Sequence, residues 1–302
     1  MLKDDSPILA VEPECYRNWL GQTQPAITAS ILEELRGPQA AARLRPAKRN
    51  VGDIAVLRLS GFIAQKPSLM TLLFGGTSTE ALVADLRAAL AEPSVGAVVL
   101  DVNSPGGSVF GVPEAAAQIR EMRGAKPMIA VSNPFMASAA YYLAAQMDEI
   151  VAIPSSITGS VGVMSVHVDD TEARKRAGIS VEAFTYGRRK AEESGIDSLS
   201  DEARGAIQAR VDYYGAMFEE DVARGRGVKR SDVSARFGQG AVFNAREALA
   251  VGMVDRIGTM EDVLRGMGGA GRRGVSAVAD PVEIAARAAL AGLTMTGTGA
   301  VE

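Results

Sequence analysis

The sequence predicts an α/β fold with a mainly parallel sheet, and three observations support this prediction. Residues 95–102 form a continuous apolar run, which is typical of a strand buried in a parallel sheet. From this run to about residue 153, strand and helix patterns alternate regularly, as they do when right-handed crossovers connect parallel strands. Apolar residues make up 47% of the chain but aromatic residues only 5%, so small aliphatic side chains must build a closely packed core.

Residues 1–50 are predicted to form a helical extension followed by a linker. Apolar residues recur at helical spacing over 12–20 and 26–35, and Gly37-Pro38 ends the second stretch. The segment 43–50 is basic and interrupted by proline, which is typical of a linker.

The main domain is predicted to span residues 51–265. It opens with a strand over 54–59, a loop over 64–77 and a helix over 79–90, whose acidic residues suit the positive end of the helix dipole. Further predicted strands cover 128–132 and 150–153, and further predicted helices cover 112–123, 137–146, 201–224, 228–237 and 245–251. Residues 266–302 are rich in glycine and threonine, and we expect a flexible tail there.

Charge and cysteine content exclude several functions. The net charge of −4 leaves no basic excess to neutralise nucleic-acid phosphates, so no nucleic-acid partner is expected. The single cysteine, Cys15, excludes an internal disulfide and a cysteine-cluster metal site, and no metal or organic cofactor is expected. No apolar run reaches the roughly 18 residues that span a bilayer, and no secretory signal is visible. These features predict a cytoplasmic protein without a membrane anchor.

A glycine pair follows the buried strand, in the run Asp101-Val102-Asn103-Ser104-Pro105-Gly106-Gly107-Ser108. Two adjacent glycines at the carboxyl end of a parallel strand let the backbone approach a ligand closely. Their N–H groups, near a helix N-terminus, could bind an oxyanion. The alternative is a tight turn from strand to helix with no further role.

A candidate nucleophile, Ser138, lies among small residues where a strand is predicted to end at Ser132-Asn133-Pro134 and a helix to begin. A serine nucleophile needs a base within hydrogen-bond reach. The chain has a single histidine, His167, so the base is either that imidazole or a lysine kept neutral by burial. The alternative for Ser138 is that it only caps an alanine-rich helix.

Lys190, in Tyr186-Gly187-Arg188-Arg189-Lys190, is the candidate base. Its main competitor, Lys175, lies in a charge-dense helical stretch and is expected to face solvent. His167 is expected to have a structural or surface role. Two adjacent carboxylates, Asp169 and Asp170, are interpreted as a helix cap rather than a metal site.

Five blocks of the sequence resemble the signal peptide peptidase A family of serine peptidases, which includes phage head-maturation proteases. The blocks are Asn103–Gly107, Ala137–Tyr142, Thr158–Val163, Gly187–Lys190 and Ala248–Asp255. They keep the order and spacing of that family over residues 51–265. The resemblance implies a fold of the Clp/crotonase type, a spiral of ββα units around a parallel sheet.

The resemblance also implies roles for individual residues. Ser138 would be the nucleophile, Lys190 its general base, and Ser160 the residue that orients the lysine amine. The oxyanion hole would be formed by the backbone of Gly107 with Ala139, and by the adjacent Gly106. One departure is that Ala139-Ala140 stands where signal peptide peptidases usually have two glycines. An oxyanion site needs only a backbone N–H, so this departure does not exclude activity.

The implied function is a serine endopeptidase with a Ser-Lys dyad, of the phage or prophage capsid branch, acting on scaffold, portal or capsid protein. The resemblance further implies a homo-oligomer, in which the apolar centre of the loop, 69–74, could form a subunit contact. Three alternatives remain: a soluble relative that degrades residual signal peptides, a catalytically idle shell or scaffold component, and a crotonase-type acyl-CoA enzyme.

Overall fold

The computed structural model describes residues 9–11, 48–51, 53–67 and 75–267. The predicted helices over 12–20 and 26–35, the loop centre at 69–74 and the tail from 268 onward lie outside these residues.

The described residues form a mixed α/β fold with ten strands and eight α-helices. The strands are β1 (Leu9–Val11), β2 (Lys48–Val51), β3 (Ile54–Ala64), β4 (Thr77–Ser78), β5 (Ala97–Ser108), β6 (Met128–Ala137), β7 (Glu149–Ala152), β8 (Ile157–Gly159), β9 (Val242–Asn244) and β10 (Arg256–Ile257). The helices are α1 (Thr79–Ala91), α2 (Val112–Glu121), α3 (Ala139–Ala144), α4 (Thr171–Arg176), α5 (Asp201–Arg226), α6 (Arg230–Arg236), α7 (Ala245–Val251) and α8 (Met260–Met267).

The main sheet has the strand order β10-β7-β6-β5-β3-β2. Its central neighbours, from β3 through β5, β6 and β7 to β10, are all parallel, while β2 is antiparallel to β3. Helices connect successive parallel strands, as the alternating sequence pattern predicts. The predicted α/β class, with a spiral of ββα units and a mainly parallel sheet, is therefore confirmed.

Helices cover both faces of the sheet, which explains the continuous apolar run in β5. Val98 and Leu100 face the larger core, where Leu86 and Ile119 of α1 and α2 pack against the sheet. Val99 faces a smaller cluster, in which Val263 of α8 packs against Val56, Val131 and Val151. Because both faces are buried, successive residues of the strand are apolar rather than alternating.

The long strands bend part of the way along their length and continue into an upper layer. The pairing register shifts between Ser60 and Phe62 in β3 and between Val102 and Ser104 in β5. Beyond these shifts, the upper part of β3 pairs with β4, that of β5 with β1, and that of β6 with β8. Gly106 and Gly107 lie in this upper part of β5, and Ser138 and Ser160 directly follow β6 and β8.

Two predicted strand ends are wrong because of this bend. We expected the strand of Asp101 to end at Val102, but β5 continues to Ser108, so Gly106 and Gly107 are strand residues rather than a turn. We expected Asn133-Pro134 to end the next strand, but that peptide bond is cis and β6 continues to Ala137.

Two short segments near the predicted helices, one before them and one in the predicted linker, are strands in the structure. Lys48–Val51 pairs antiparallel with the start of β3, and Leu9–Val11 pairs antiparallel with the end of β5. Short strands of this kind carry little periodicity of their own, and pairing with a preformed edge determines their conformation.

Candidate active site

Ser138 occupies a strained turn between β6 and α3. Its backbone angles are φ 55° and ψ −121°, a region that residues with a side chain rarely adopt. Its N–H donates to the carbonyl oxygen of Gly159 at 2.8 Å, and its own carbonyl accepts from the N–H of Tyr142 at 2.9 Å. These two bonds hold the residue at the tip of a strand–turn–helix unit, the geometry that exposes a nucleophile in other hydrolases.

The Ser138 hydroxyl is buried and has no hydrogen-bond partner among the described residues. A buried hydroxyl without a partner costs on the order of 1–3 kcal/mol, so most structural serines do not remain in this state. The predicted alternative, that Ser138 only caps its helix, is not supported because its side chain makes no cap hydrogen bond.

Ser160 lies next to Ser138 and is strained in the same way. The parallel pairing of β6 with β8 matches Ala137 with Gly159, and the two serines follow directly on the two strands. Ser160 has φ 56°, and it is buried with its N–H donating to the carbonyl oxygen of Ala241 at 2.7 Å. Only three described non-glycine residues have positive φ, and two of them form this pair. Strain of this kind is concentrated at functional sites.

Gly107 lies where β5 passes closest to β3. A Cβ on Gly107 would overlap the carbonyl oxygen of Ile63, so only glycine fits. Its neighbour Gly106 donates its N–H to Ser104 Oγ at 3.1 Å, and that hydroxyl donates to the carbonyl oxygen of Gly61 at 2.6 Å. The Gly106 N–H therefore already has an acceptor within the protein.

Replacing Gly107 by alanine is expected to lower the free energy of unfolding by about 3 kcal/mol, since the new methyl group must displace the β3 backbone. Urea unfolding followed by circular dichroism measures this loss. The control is Gly205→Ala on α5, where a Cβ meets open space; it is expected to stabilise the protein by about 0.5–1 kcal/mol. Equal effects of the two substitutions would contradict the proposed close approach.

Ala139 is the first residue of α3, so its N–H has no partner within the helix. All six residues of this helix are buried, and four of them, as well as Ala137 before Ser138, are small or aliphatic. The structure therefore brings Ser138, Ser160 and Ala139 together, with the upper end of β5 on the adjacent strand.

Lys190 is not joined to Ser138 in the single chain. It lies between α4 and α5, in a segment without regular helix or strand, and its side chain is exposed. Its amine makes no hydrogen bond or ion pair with any described residue, whereas the adjacent Arg188 and Arg189 pair with Glu202 and Glu192. Several apolar side chains in the same segment are also exposed, including the almost fully accessible Phe184 and Tyr186.

Lys175 and Asp169, two of the competing candidates, lie as the sequence analysis expects. Lys175 is exposed on α4 and pairs with Glu172 at 2.8 Å. Hydrogen bonds from Thr171 and Ser198 lower the pKa of Asp169 to about 2, in keeping with a carboxylate that stabilises the start of α4. His167 lies in an irregular segment, where its Nε2 is buried without a hydrogen bond.

A buried polar network, which the sequence analysis missed, anchors the helix that follows Ser138. The Tyr142 hydroxyl donates to the Asp221 carboxylate on α5, and the Tyr142 ring stacks on Phe218 with a centroid distance of 4.4 Å. Burial, and then this hydrogen bond, raise the pKa of Tyr142, so the phenol stays protonated. Asp221 also pairs with Arg224 at 2.7 Å and with Arg120 at 3.6 Å.

Replacing Asp221 by alanine is expected to lower the free energy of unfolding by about 3 kcal/mol. The change leaves the buried Tyr142 hydroxyl with only its longer hydrogen bond of 3.4 Å to the carbonyl oxygen of Met217, and it removes the buried carboxylate that pairs with Arg120 and Arg224. Thermal and urea unfolding measure this effect. The matched control is Glu220→Ala, one residue earlier and exposed, which should change stability by less than about 0.5 kcal/mol. A mild effect at Asp221 would show that the network does not anchor α3.

Within the described ranges, no group of three or more histidine, cysteine, aspartate or glutamate residues could hold a metal ion. No helix within those ranges is both long enough and apolar enough to cross a membrane.

Comparison with known proteins identifies the family. Residues 120–270 match Peptidase family S49. The chain is 30% identical over 240 residues to the head-tail preconnector protein GP5 of Enterobacteria phage P21, an alignment that covers 80% of this chain and 47% of GP5. It is 28% identical over 244 residues to the capsid assembly protease C of Escherichia phage lambda, covering 81% and 55% respectively. The chain thus spans about half the length of these relatives.

This chain belongs to Peptidase family S49, in agreement with the resemblance seen in its sequence blocks. Among solved structures, an enoyl-CoA hydratase from Polaromonas sp. JS666 matches 74% of each chain with a TM-score of 0.42 and 17% identity. Similarity at this level says nothing about activity.

Proposed function

We propose that this chain is a serine endopeptidase with Ser138 as nucleophile and Lys190 as general base, and that it cleaves capsid, scaffold or portal proteins of a phage. The observation that carries the proposal is the Ser138 hydroxyl, which is held at a strained turn without a hydrogen bond to any described residue. A strained conformation persists in a stable fold only where the surrounding contacts hold the residue in place. Strain of this kind is typical of active sites. Membership of Peptidase family S49 supports the same chemistry.

The reaction proceeds in two halves. The Lys190 amine, in its neutral form, accepts the Ser138 proton while Oγ attacks the peptide carbonyl carbon. The tetrahedral intermediate collapses to an ester on Ser138, and the lysine ammonium gives its proton to the leaving amine. Water then attacks the ester with Lys190 again as base, and this step releases the acid product and restores the serine. In this proposal the Ser160 hydroxyl, which lies beside Ser138 on the paired strand, accepts a hydrogen bond from the lysine amine.

Backbone N–H groups of Gly107 and Ala139 stabilise the negative oxygen of both intermediates. Neither donor belongs to a side chain, so the Ala139-Ala140 departure from the usual two glycines leaves this function intact. Oxyanion donors typically account for a hundredfold or more of the rate, roughly 3–4 kcal/mol per donor. The small residues around Ser138 favour substrates with small apolar side chains next to the cleaved bond.

Lys190 reaches Ser138 when its segment is packed in an oligomer. In the single chain this segment exposes Ile179, Val181, Phe184 and Tyr186, a set of apolar side chains that a second copy would bury. Contiguous exposed apolar residues mark interaction surfaces. The dyad is then completed either within one subunit, after the segment moves, or between two subunits.

The phage context is supported by the two relatives above, which are named for head-tail connection and capsid assembly. Both match about four fifths of this chain, with the candidate site inside the matched part. A catalytically idle shell component and an acyl-CoA enzyme remain the competing hypotheses, and labelling of the serine separates them from a peptidase.

The test uses a fluorophosphonate probe, which reacts preferentially with activated serine hydroxyls. We expect one adduct per chain, located at Ser138 by mass spectrometry of tryptic fragments. The same preparation should hydrolyse fluorogenic peptides with alanine or leucine before the cleaved bond. As the probe concentration rises, the adduct should accumulate to one per chain while hydrolysis falls in proportion. An inert Ser138 in the assembled protein, or hydrolysis that survives complete labelling, would overturn the proposal.

A further inference from the structure

The short strand β1 lies on the edge of the candidate active site. It pairs antiparallel with the end of β5, with Val11 opposite Gly106, Ala10 opposite Gly107 and Leu9 opposite Ser108. On its other side, this part of β5 is already paired with β3, where Phe62 and Ile63 are opposite the same two glycines. A strand has only two hydrogen-bonding edges, so β1 lies on the edge that faces away from β3.

Closer to the start of β5, the same edge of this strand pairs with β6. The pairing of the two strands ends with Ser104 opposite Met136, after which β6 pairs with β8 and reaches Ser138. Gly106 lies two residues beyond Ser104, as Ser138 lies two residues beyond Met136. Because neighbouring strands are about 4.8 Å apart, β1 occupies the backbone position beside the nucleophile.

A second observation shows that the site is closed in this form. Ser138 has no exposed surface, and its hydroxyl cannot be reached by solvent. A substrate peptide cannot reach that oxygen until something beside it moves. Of the described segments, β1 is the one that lies on the free edge of β5 next to the oxyanion donor Gly107.

We propose that this edge of β5 is the docking site for an extended peptide and that residues 9–11 are its resident occupant, which must leave before a substrate binds. The inference rests on the peptidase function proposed above and adds its regulation. A peptide added as a strand is held by main-chain hydrogen bonds, which any sequence supplies, and β1 forms such a ladder in the antiparallel direction. Substrate and β1 therefore compete for one edge.

A substrate peptide could readily displace β1, because β1 pairs with β5 over only a few residues. It comprises three residues, in the apolar run Ile8-Leu9-Ala10-Val11 between Pro7 and Pro13. Proline has no N–H to donate, so a ladder cannot extend with full hydrogen bonding through either end of this run. Ladders of this length contribute little stability alone.

Hydrogen exchange tests the docking edge without requiring catalysis. The experiment uses the full chain with Ser138→Ala, which cannot process itself. Ala10→Pro and Val11→Pro are both made, because alternate N–H groups of β1 point toward β5, and Ala10→Ser is the control that keeps the N–H. In at least one proline variant, the backbone amide hydrogens of residues 106–109 should exchange with solvent roughly tenfold faster than in the Ala10→Ser control. This is the expected result when the strand bound to them is lost. Adding a synthetic peptide with the sequence Ser6–Glu14 should restore protection.

If residues 106–109 stay equally protected from exchange in both proline variants, or if the added peptide does not restore their protection, the proposed docking edge is overturned.

The second arm of the experiment uses the same substitutions with Ser138 intact. If the open form is about 10% populated, freeing the edge should raise kcat/KM for an added peptide by up to about tenfold, with no change for Ala10→Ser. Faster exchange with unchanged kcat/KM would overturn the regulatory role of β1. Faster exchange, with peptide-restored protection but no hydrolysis by any form, would reject the peptidase function and support the docking edge.

Discussion

Replacing Ser138 by alanine is expected to reduce peptide hydrolysis by roughly a thousandfold or more, because the reaction loses its nucleophile. The same substitution should leave the fold intact, since the hydroxyl makes no hydrogen bond that the protein would lose. Steady-state hydrolysis and thermal unfolding, measured on one preparation, test both parts. A surface serine such as Ser231, replaced in the same way, should change neither.

The glycine variant at the same position gives a sharper result. Ser138 has φ 55°, a conformation that costs a residue with a side chain about 1–3 kcal/mol and costs glycine almost nothing. After allowing for the greater freedom of glycine in the unfolded chain, Ser138→Gly should raise the free energy of unfolding by about 1 kcal/mol while abolishing activity. A stability loss in both variants would show that the serine has a structural role, against the proposed mechanism.

Replacing Lys190 by alanine is expected to reduce hydrolysis by a comparable factor of about a thousand, since no other base is bonded to Ser138. Because the Lys190 amine has no partner in the single chain, the free energy of unfolding of the subunit should not change. The matched control is Lys175→Ala, which removes a lysine of similar exposure from α4 and should retain full activity. Equal loss in both variants, or none at Lys190, would remove Lys190 from the mechanism.

Mixing the inactive variants determines where the dyad is completed. Ser138→Ala and Lys190→Ala subunits are unfolded together, refolded and assembled as mixed oligomers. Recovery of a substantial fraction of activity would show that serine and lysine come from different subunits. Continued inactivity of the mixture, alongside full recovery of refolded unmodified protein, would show that one subunit supplies both.

Local patterns in the sequence predicted many of the elements. The apolar run of β5 and the amphipathic helix over 245–251 were recognised because their burial pattern repeats within a few residues. The upper ends of β5 and β6 were not predicted, because glycine and proline usually end strands. Here they allow a bend, and β5 continues past Ile63 at a distance that only Gly107 permits.

Within the site, the sequence indicated residue types but not their contacts. Ser138 and Ser160 were both identified, and the structure adds that each is strained and that they follow paired strands. The contact between Tyr142 and Asp221 joins residues that are 79 positions apart, and a periodic pattern in the local sequence cannot predict such a contact. The exposed position of Lys190 was also not predicted, because the local sequence around it does not determine which tertiary contacts its segment makes.

The division of the long strands into a lower and an upper layer has a consequence for protein engineering. The contact between Val151 of β7 and Val263 of α8 lies below the bends of β3 and β5. Substitutions there should change the melting temperature of the protein and, under the proposed function, leave its preference among peptides unchanged. Peptide specificity could therefore be redesigned in the upper layer alone, while separate substitutions in the lower layer stabilise the fold.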